Sequence, residues 1–375
     1  MLDCKTCFDH LGRLGIDFYA GVPDSLLKDL CAYIADHASP DRQFIAANEG
    51  AAIALAAGHH LATGKVGLVY MQNSGLGNTV NPLTSLADPE VYRIPMILLI
   101  GWRGEPGRPD EPQHVKQGRI TLSSLDALEV PYEILPDAPE EAEAVLSRSV
   151  ERARASSSPQ AIVVRAGTFA PYKLRNEAPD LYEMTREDAV QGLAARLGAE
   201  DMVVATTGKT SRELFEFRAA TDAGHASDFL TVGSMGHASQ IALGIAVERP
   251  NRQILCFDGD GALIMHMGSL ALSGQRGPEN FKHVVLNNGA HDSVGGQPTV
   301  AHAIDIPAIA RACGYREARR IERAEEIEEA MAWLLETPGP ALLEVMTKPG
   351  ARSDLGRPTT TPVDNKRAFM ENLAK

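Results

Sequence analysis

Two short, glycine-bounded stretches carry residues of the kind that hold hard cations. Asp258-Gly259-Asp260-Gly261 follows the apolar run Ile254–Phe257, and Asn287-Asn288-Gly289 follows the run His283–Leu286. Both runs have the length and composition of buried parallel strands. The glycines let the backbone turn sharply and come close to a ligand. Strand ends of an open α/β sheet gather at its carboxyl edge, where such sheets bind ligands. There Asp260 and Asn288 offer oxygen ligands with room left for waters and phosphate oxygens, which suits magnesium. The segment between them, Ala262 to Ser273, has the length of one helix.

The elements that must position these residues alternate along the whole chain. Helix-like Cys4–Leu14, strand-like Asp17–Ala20 and helix-like Leu26–Ile34 open it, with Gly21-Val22-Pro23-Asp24-Ser25 between strand and helix. A strand Gln43–Ala47 ends at Asn48-Glu49, and an alanine-rich helix Gly50–Ala62 follows. Strands Val66–Met71 and Pro95–Ile100 come next, the first followed by Gln72-Asn73-Ser74-Gly75-Leu76-Gly77-Asn78. Gly101–Gly118 reads as irregular; helix Ile120–Leu128, strand Tyr132–Leu135, helix Glu140–Ala155 and strand Ala161–Arg165 complete a first unit. The pattern lapses in a linker at 171–184 and then restarts. Helix Arg186–Leu197, strand Met202–Ala205, helix Ser211–Phe217, strand Phe229–Val232 and helix Ser239–Val247 lead into the opening motif. Helices Ile306–Cys313 and Ala324–Leu335 and strand Ala341–Met346 follow it, and Lys348–Lys375 reads as turn-rich. Strands alternating with helices predict parallel sheets covered on both faces. The expectation is α/β, two doubly wound domains at 1–170 and 185–375, with no middle domain.

Composition narrows the function classes. A chain of 375 residues suits two average domains, and 44% hydrophobic residues can fill their cores. A formal charge of −13 argues against nucleic acid or an anionic membrane as partner, so an anionic substrate needs a local basic pocket. No apolar run reaches membrane-spanning length, and the first residues lack a secretory signal. Five scattered cysteines fit a reducing cytoplasm. Cys4 and Cys7 form a CxxC inside the first predicted helix, without the preceding strand of a redox motif. Thr207-Gly208-Lys209-Thr210-Ser211 looks like the end of a nucleotide P-loop, but that motif needs glycine where Val203 stands. The loop still joins a strand to a helix, a good anion site, and Lys209 adds charge to it.

The GDG, helix, strand, NN succession resembles the diphosphate and metal motif of thiamine diphosphate enzymes. That resemblance implies magnesium on Asp260, Asn288 and the carbonyl of Ala290, with Thr207, Gly208, Gly233, Gly259, Gly261 and Ala262 around the cofactor. Glu49 alone reads as a carboxylate complementing a helix N-terminus; in Asn48-Glu49-Gly50-Ala51-Ala52 it matches the family's glutamate. The resemblance then implies a hydrogen bond from Glu49 to the pyrimidine nitrogen N1′, favouring the imino tautomer. Met235, within Gly233-Ser234-Met235-Gly236-His237, matches the bulky residue that wedges the cofactor into its bent shape.

Glu111-Pro112-Gln113-His114, His291-Asp292-Ser293-Val294-Gly295-Gly296-Gln297, Gly21–Ser25 and the tail Ala351–Pro362 resemble phosphonopyruvate decarboxylases along essentially the whole chain. The alternative is a sulfopyruvate decarboxylase, often split into two subunits, or a decarboxylase of another small acidic 2-oxo acid. The resemblance implies decarboxylation of 3-phosphonopyruvate to phosphonoacetaldehyde in phosphonate biosynthesis, in the cytoplasm. It also implies a homo-oligomer with active sites between subunits. Candidate substrate contacts are Asp24, Ser25, Asn73, Lys209, Arg352 and Arg357, with Arg103 and Arg212 as further cations. Arginine forks suit a carboxylate and a phosphonate, and His114 and His291 could move protons or bind the carboxylate.

Overall fold

The computed structural model describes all 375 residues, which divide into two compact units, Met1–Glu177 and Ala178–Lys375. In the first unit β1 (Tyr19–Gly21), β2 (Gln43–Ile45), β3 (Gly67–Gln72), β4 (Met96–Gly101), β5 (Tyr132–Ile134) and β6 (Gln160–Val164) form one parallel sheet. Its order is β2-β1-β3-β4-β6-β5. In the second, β7 (Met202–Ala205), β8 (Asp228–Leu230), β9 (Ile254–Gly259), β10 (Phe281–Asn287), β11 (Glu317–Ile321) and β12 (Ala341–Met346) form another. Its order, β8-β7-β9-β10-β12-β11, is the same winding. Each sheet reverses its strand order between β1 and β3 and between β7 and β9, where doubly wound sheets open a crevice at the strand ends, and again at its far edge, at β6-β5 and β12-β11.

Period-two alternation divides each apolar strand between two cores. Leu68 and Tyr70 face one side of the first sheet with Ile97 and Leu99, and Val69 and Met71 face the other with Leu98 and Ile100. Likewise Val203, Ala205, Leu255 and Phe257 share one core of the second unit, while Met202, Val204, Ile254 and Cys256 share the opposite one. Strands buried on both faces must be apolar throughout, which is why they read clearly from sequence. Cys4 and Cys7 are free and buried on the first helix, and burial pushes both thiols up to about 12, the chemistry of core residues rather than a redox pair.

Several stretches fold otherwise than the sequence predicts. The Gly101–Gly118 segment turns helical at Pro112 and runs to Ala127, because proline at a first helical position lacks an N–H that would have no partner there. The single helix over Ala262–Ser273 is two, Asp260–Met265 and Ser269–Arg276. The break lets the second pack against the helix Ala238–Glu248, where Gln240 Nε2 donates to Ser273 Oγ at 3.0 Å. Strand β11 was not predicted. Nor was the helix Pro362–Leu373, which Thr361 caps by accepting the Asp364 N–H at 3.1 Å. Asn365 of that helix continues the exposed edge of β8: its Oδ1 accepts from Leu230 N and its Nδ2 donates to the Asp228 carbonyl. No helix is long and apolar enough to cross a membrane.

Candidate active site

In the first unit the ends of β1 to β4 bring Asp24, Glu49, Asn73 and Arg103 to one edge. Asn48 is the N-cap of the helix Glu49–Thr63, its Oδ1 accepting the Ala51 N–H at 2.9 Å, so Glu49 becomes the first helical residue. Glu49 is 5% exposed, and Asn78 Nδ2 donates to its Oε2 at 2.7 Å. Gly75 gives it room: a Cβ there would lie 2.4 Å from Glu49 Oε1. Asp24 is fully buried; the Leu26 and Leu27 amides donate to its Oδ2, while Oδ1 has no partner. Burial pushes its carboxyl up to about 6, against the pull of those amides and of Arg103. A Cβ at Gly101 would overlap Asp24 Oδ2, so glycine ending β4 is a condition for that carboxylate's place.

Arg103 is forked onto Asp110 and donates through Nη1 to Ser25 Oγ at 2.7 Å, which keeps a cation beside Ser25. Asn73 has a structural task. Its Nδ2 donates to the Arg103 carbonyl and to Thr121 Oγ1, and its Oδ1 accepts the Arg103 N–H. It thereby fastens the end of β3 to the end of β4. His114 lies on the helix Pro112–Ala127 with a buried, partnerless Nδ1. Burial, then the nearby Arg103 charge, lowers its pKa to about 4.

In the second unit β7, β9 and β10 deliver Thr207-Gly208-Lys209, Gly259-Asp260-Gly261 and Asn288-Gly289-Ala290 to one edge. Asp260 is 3% exposed. Thr299 Oγ1 donates to its Oδ2 at 2.5 Å, no basic side chain ion-pairs with it, and burial pushes its carboxyl up to about 7. A desolvated carboxylate without a cation is costly, and a divalent ion beside it would restore its charge. Asn288 Oδ1 accepts the Ala290 N–H at 3.2 Å, and its Nδ2 donates to Asp292 Oδ2 at 2.6 Å. The donor set therefore fits a hard cation, with Asp260, Asn288 and the Ala290 carbonyl as the residues that would hold it.

The remaining predicted residues cluster around Gly261 and Gly208. A Cβ on Gly261 would meet the His291 ring at 2.9 Å and Met235 Cε at 3.4 Å, so Met235, from the turn after β8, and His291 flank the same glycine. Burial holds His291 down at about 4, in the neutral state at pH 7. Gly208 has φ 101°, a conformation that favours glycine, and faces Ser293. Lys209 begins the helix Lys209–Ala220, and burial lowers its ammonium pKa despite the neighbouring Asp292. The exposed Arg352 is committed elsewhere, bridging Glu187, Glu216 and Asp354, so its charge is already answered by carboxylates. Arg357 is exposed farther along the same segment. Two residues to which sequence reasoning gave no role enter the site, Thr299 and Asp292. Thr299 lies eleven positions past Asn288 with no motif to mark it, and Asp292 stood in plain view inside the His291–Gln297 stretch.

Residues 5–125 match the model of the thiamine pyrophosphate enzyme N-terminal TPP binding domain, and 206–345 that of the C-terminal TPP binding domain. A phosphonopyruvate decarboxylase of Streptomyces viridochromogenes is 39% identical, the alignment covering 98% of this chain and 94% of that protein. Its counterpart from Streptomyces hygroscopicus is 38% identical over 99% and 94%. A sulfopyruvate decarboxylase of Methanosarcina acetivorans is 29% identical over 98% and 97%. With two thiamine pyrophosphate domains, no domain between them, and this likeness along its full length, the chain belongs to the phosphonopyruvate decarboxylase family of thiamine pyrophosphate enzymes.

Proposed function

We propose that this protein decarboxylates 3-phosphonopyruvate to phosphonoacetaldehyde and carbon dioxide, using thiamine diphosphate and Mg2+. One observation carries the reading: a chain like the phosphonopyruvate decarboxylases over its full length keeps both the buried Glu49 with its Asn78 partner and the Asp260, Asn288, Ala290 oxygen set. The chemistry that thiamine diphosphate supplies when bound is a sink for the electron pair released as the carboxylate departs. Asp260, Asn288 and the Ala290 carbonyl would hold the Mg2+ that carries the diphosphate, and Thr207, Gly208, Gly233, Gly259, Gly261 and Ala262 would line it. Glu49 would take the pyrimidine ring nitrogen, with Asn78 anchoring its other oxygen. Met235 would wedge beneath the cofactor beside Gly261.

His114 and His291, both neutral at pH 7 through burial, can each accept a proton on one ring nitrogen or give the one on the other. Lys209 and Arg357 are the cations favoured for the substrate anion, with Ser25 and Asp24 as polar contacts. Arg352 is better placed to hold its segment on Glu187 and Glu216. From the family resemblance we assign the working enzyme to a homo-oligomer; an active species that sediments as a monomer would contradict this.

The test is carbon dioxide release from phosphonopyruvate with thiamine diphosphate and Mg2+ present and then withheld, sulfopyruvate and pyruvate run beside it. Release from phosphonopyruvate that depends on both additions supports the proposal. Release mainly from sulfopyruvate would keep the mechanism and replace the substrate. No release from any of the three would overturn the reaction.

A further inference from the structure

Asn288 and Asp292 are four residues apart on the loop leaving β10, and their contact decides which end of a carboxamide faces the metal position. A carboxamide has an oxygen end and an NH2 end, and a hard cation can be held by the oxygen alone. At Asn288 the NH2 end is taken by Asp292 Oδ2 at 2.6 Å. Asp292 is itself held from two further directions. The Arg186 Nη1 donates to its Oδ2 at 2.9 Å, and the Gly350 N–H reaches both its oxygens at 3.1 and 3.0 Å. Arg186 is 6% exposed and forks its remaining donors onto Glu213 at 3.0 and 2.9 Å, so it cannot swing away without leaving a buried carboxylate alone. The segment carrying Gly350 is pinned in turn, through Arg352 to Glu187 and through the Gly356 N–H to Glu216 Oε1 at 2.6 Å.

We propose that Asp292 is a positioning residue for the metal centre: as a carboxylate fixed by Arg186 and Gly350, it holds the Asn288 carboxamide with its oxygen end presented to the cation. This rests on the functional reading above, in which Asn288 is a metal ligand. The Arg186 and Asn288 donors share one oxygen of Asp292, Oδ2, so removal of that acceptor, as in Asp292→Ala, is the change that frees the Asn288 carboxamide. With no acceptor for its NH2 end, nothing distinguishes the two ends of the carboxamide, and the NH2 can stand where the cation needs an oxygen. Adding Asn288→Asp cures this, because both ends of a carboxylate are oxygens.

The test is calorimetric titration of Mg2+ into the chain with excess thiamine diphosphate, with the unfolding midpoint of the cofactor-free chain read alongside. Removing the outer partner of a metal ligand weakens affinity by about 10–100-fold, and that loss is expected for Asp292→Ala. The double variant Asn288→Asp with Asp292→Ala is expected to return to within a few-fold of wild type. Asp292→Ala binding like wild type would overturn the proposal, and so would a double variant as weak as the single one. Lost binding with a lowered midpoint that the double variant does not recover would overturn it too, since Asp292 would then act on the fold. A wild-type chain that binds no Mg2+ with thiamine diphosphate would instead strike the functional reading itself, and this inference with it.

Discussion

A carboxylate at the first turn of a helix gains from the helix dipole, and that alone would explain Glu49 on an exposed surface. Glu49 is buried, however, and its one side-chain hydrogen bond, from Asn78, satisfies Oε2. Oε1 therefore remains for a ligand that offers a donor. Glu49→Gln keeps the volume and removes the proton acceptor, so the turnover number for carbon dioxide release should fall by about 10²–10⁴-fold, the usual span for a positioned acid or base, with little change in unfolding midpoint. Unaltered turnover would remove Glu49 from the mechanism. His114 makes a second prediction at this scale. Its folded pKa of about 4 lies below the ordinary 6.5, so below pH 6.5 the unfolded chain binds the proton more readily than the folded one. Stability must then fall as pH falls from 6.5 toward 4, and be unaffected by this group above 6.5. In urea unfolding, wild type should lose ground against His114→Gln across that window. Parallel pH profiles for the two would show that the imidazole is not desolvated.

At the scale of elements, glycines at strand ends make the space that the carboxylates occupy. Gly75 has φ −75°, which alanine adopts freely, so Gly75→Ala meets no backbone strain. Its new methyl would overlap Glu49 Oε1 and must displace the carboxylate. Misplacing a reacting group by about 1 Å can cost about 10²-fold in rate, so Gly75→Ala should lose turnover while melting near wild type; a variant that turns over normally would show that Glu49 has slack. The same scale explains what the sequence discloses. Met202–Ala205 is legible because neighbouring strands and helices on both faces demand apolar residues at every position, and Ala341–Met346 because all but Glu344 are apolar. Glu317–Ile321 pairs with a strand on one side alone and keeps Glu317, Arg319 and Arg320, so no apolar run marks it. The helix Pro362–Leu373 did carry its signals, Thr361 as cap and Pro362 at the first position, but it rests on the core through little more than Phe369 and Asn365. Asp260, Asn288 and Glu49 were legible because a turn or a cap fixes each beside a strand. The employment of Arg352 was not, since its partners Glu187 and Glu216 lie 165 and 136 positions earlier in the chain.

On the scale of the whole molecule, the two units share one winding, and each places its chemistry at the carboxyl edge of its sheet. The division of labour between them is chemical. The first unit's edge offers a carboxylate held for a hydrogen-bond donor; the second offers hard oxygens and glycine-rich turns suited to a cation and a diphosphate. A ligand with a nitrogenous ring at one end and a diphosphate at the other would draw on both edges, so binding it should stabilise both units rather than one. A ligand bound to the folded state at 100 times its dissociation constant adds about 2.7 kcal/mol, and that gain must show in the local openings of whichever segments touch it. Hydrogen–deuterium exchange with and without thiamine diphosphate and Mg2+ reads this directly. Slower exchange is expected at residues 48–51 and 73–78 of the first unit and at 259–262 and 288–299 of the second, appearing together at one cofactor concentration. Protection confined to the second unit would leave the diphosphate and metal assignments standing and take the cofactor's ring away from Glu49. Protection that needs thiamine diphosphate but not Mg2+ would mean that Asp260 and Asn288 serve the site without a metal between them.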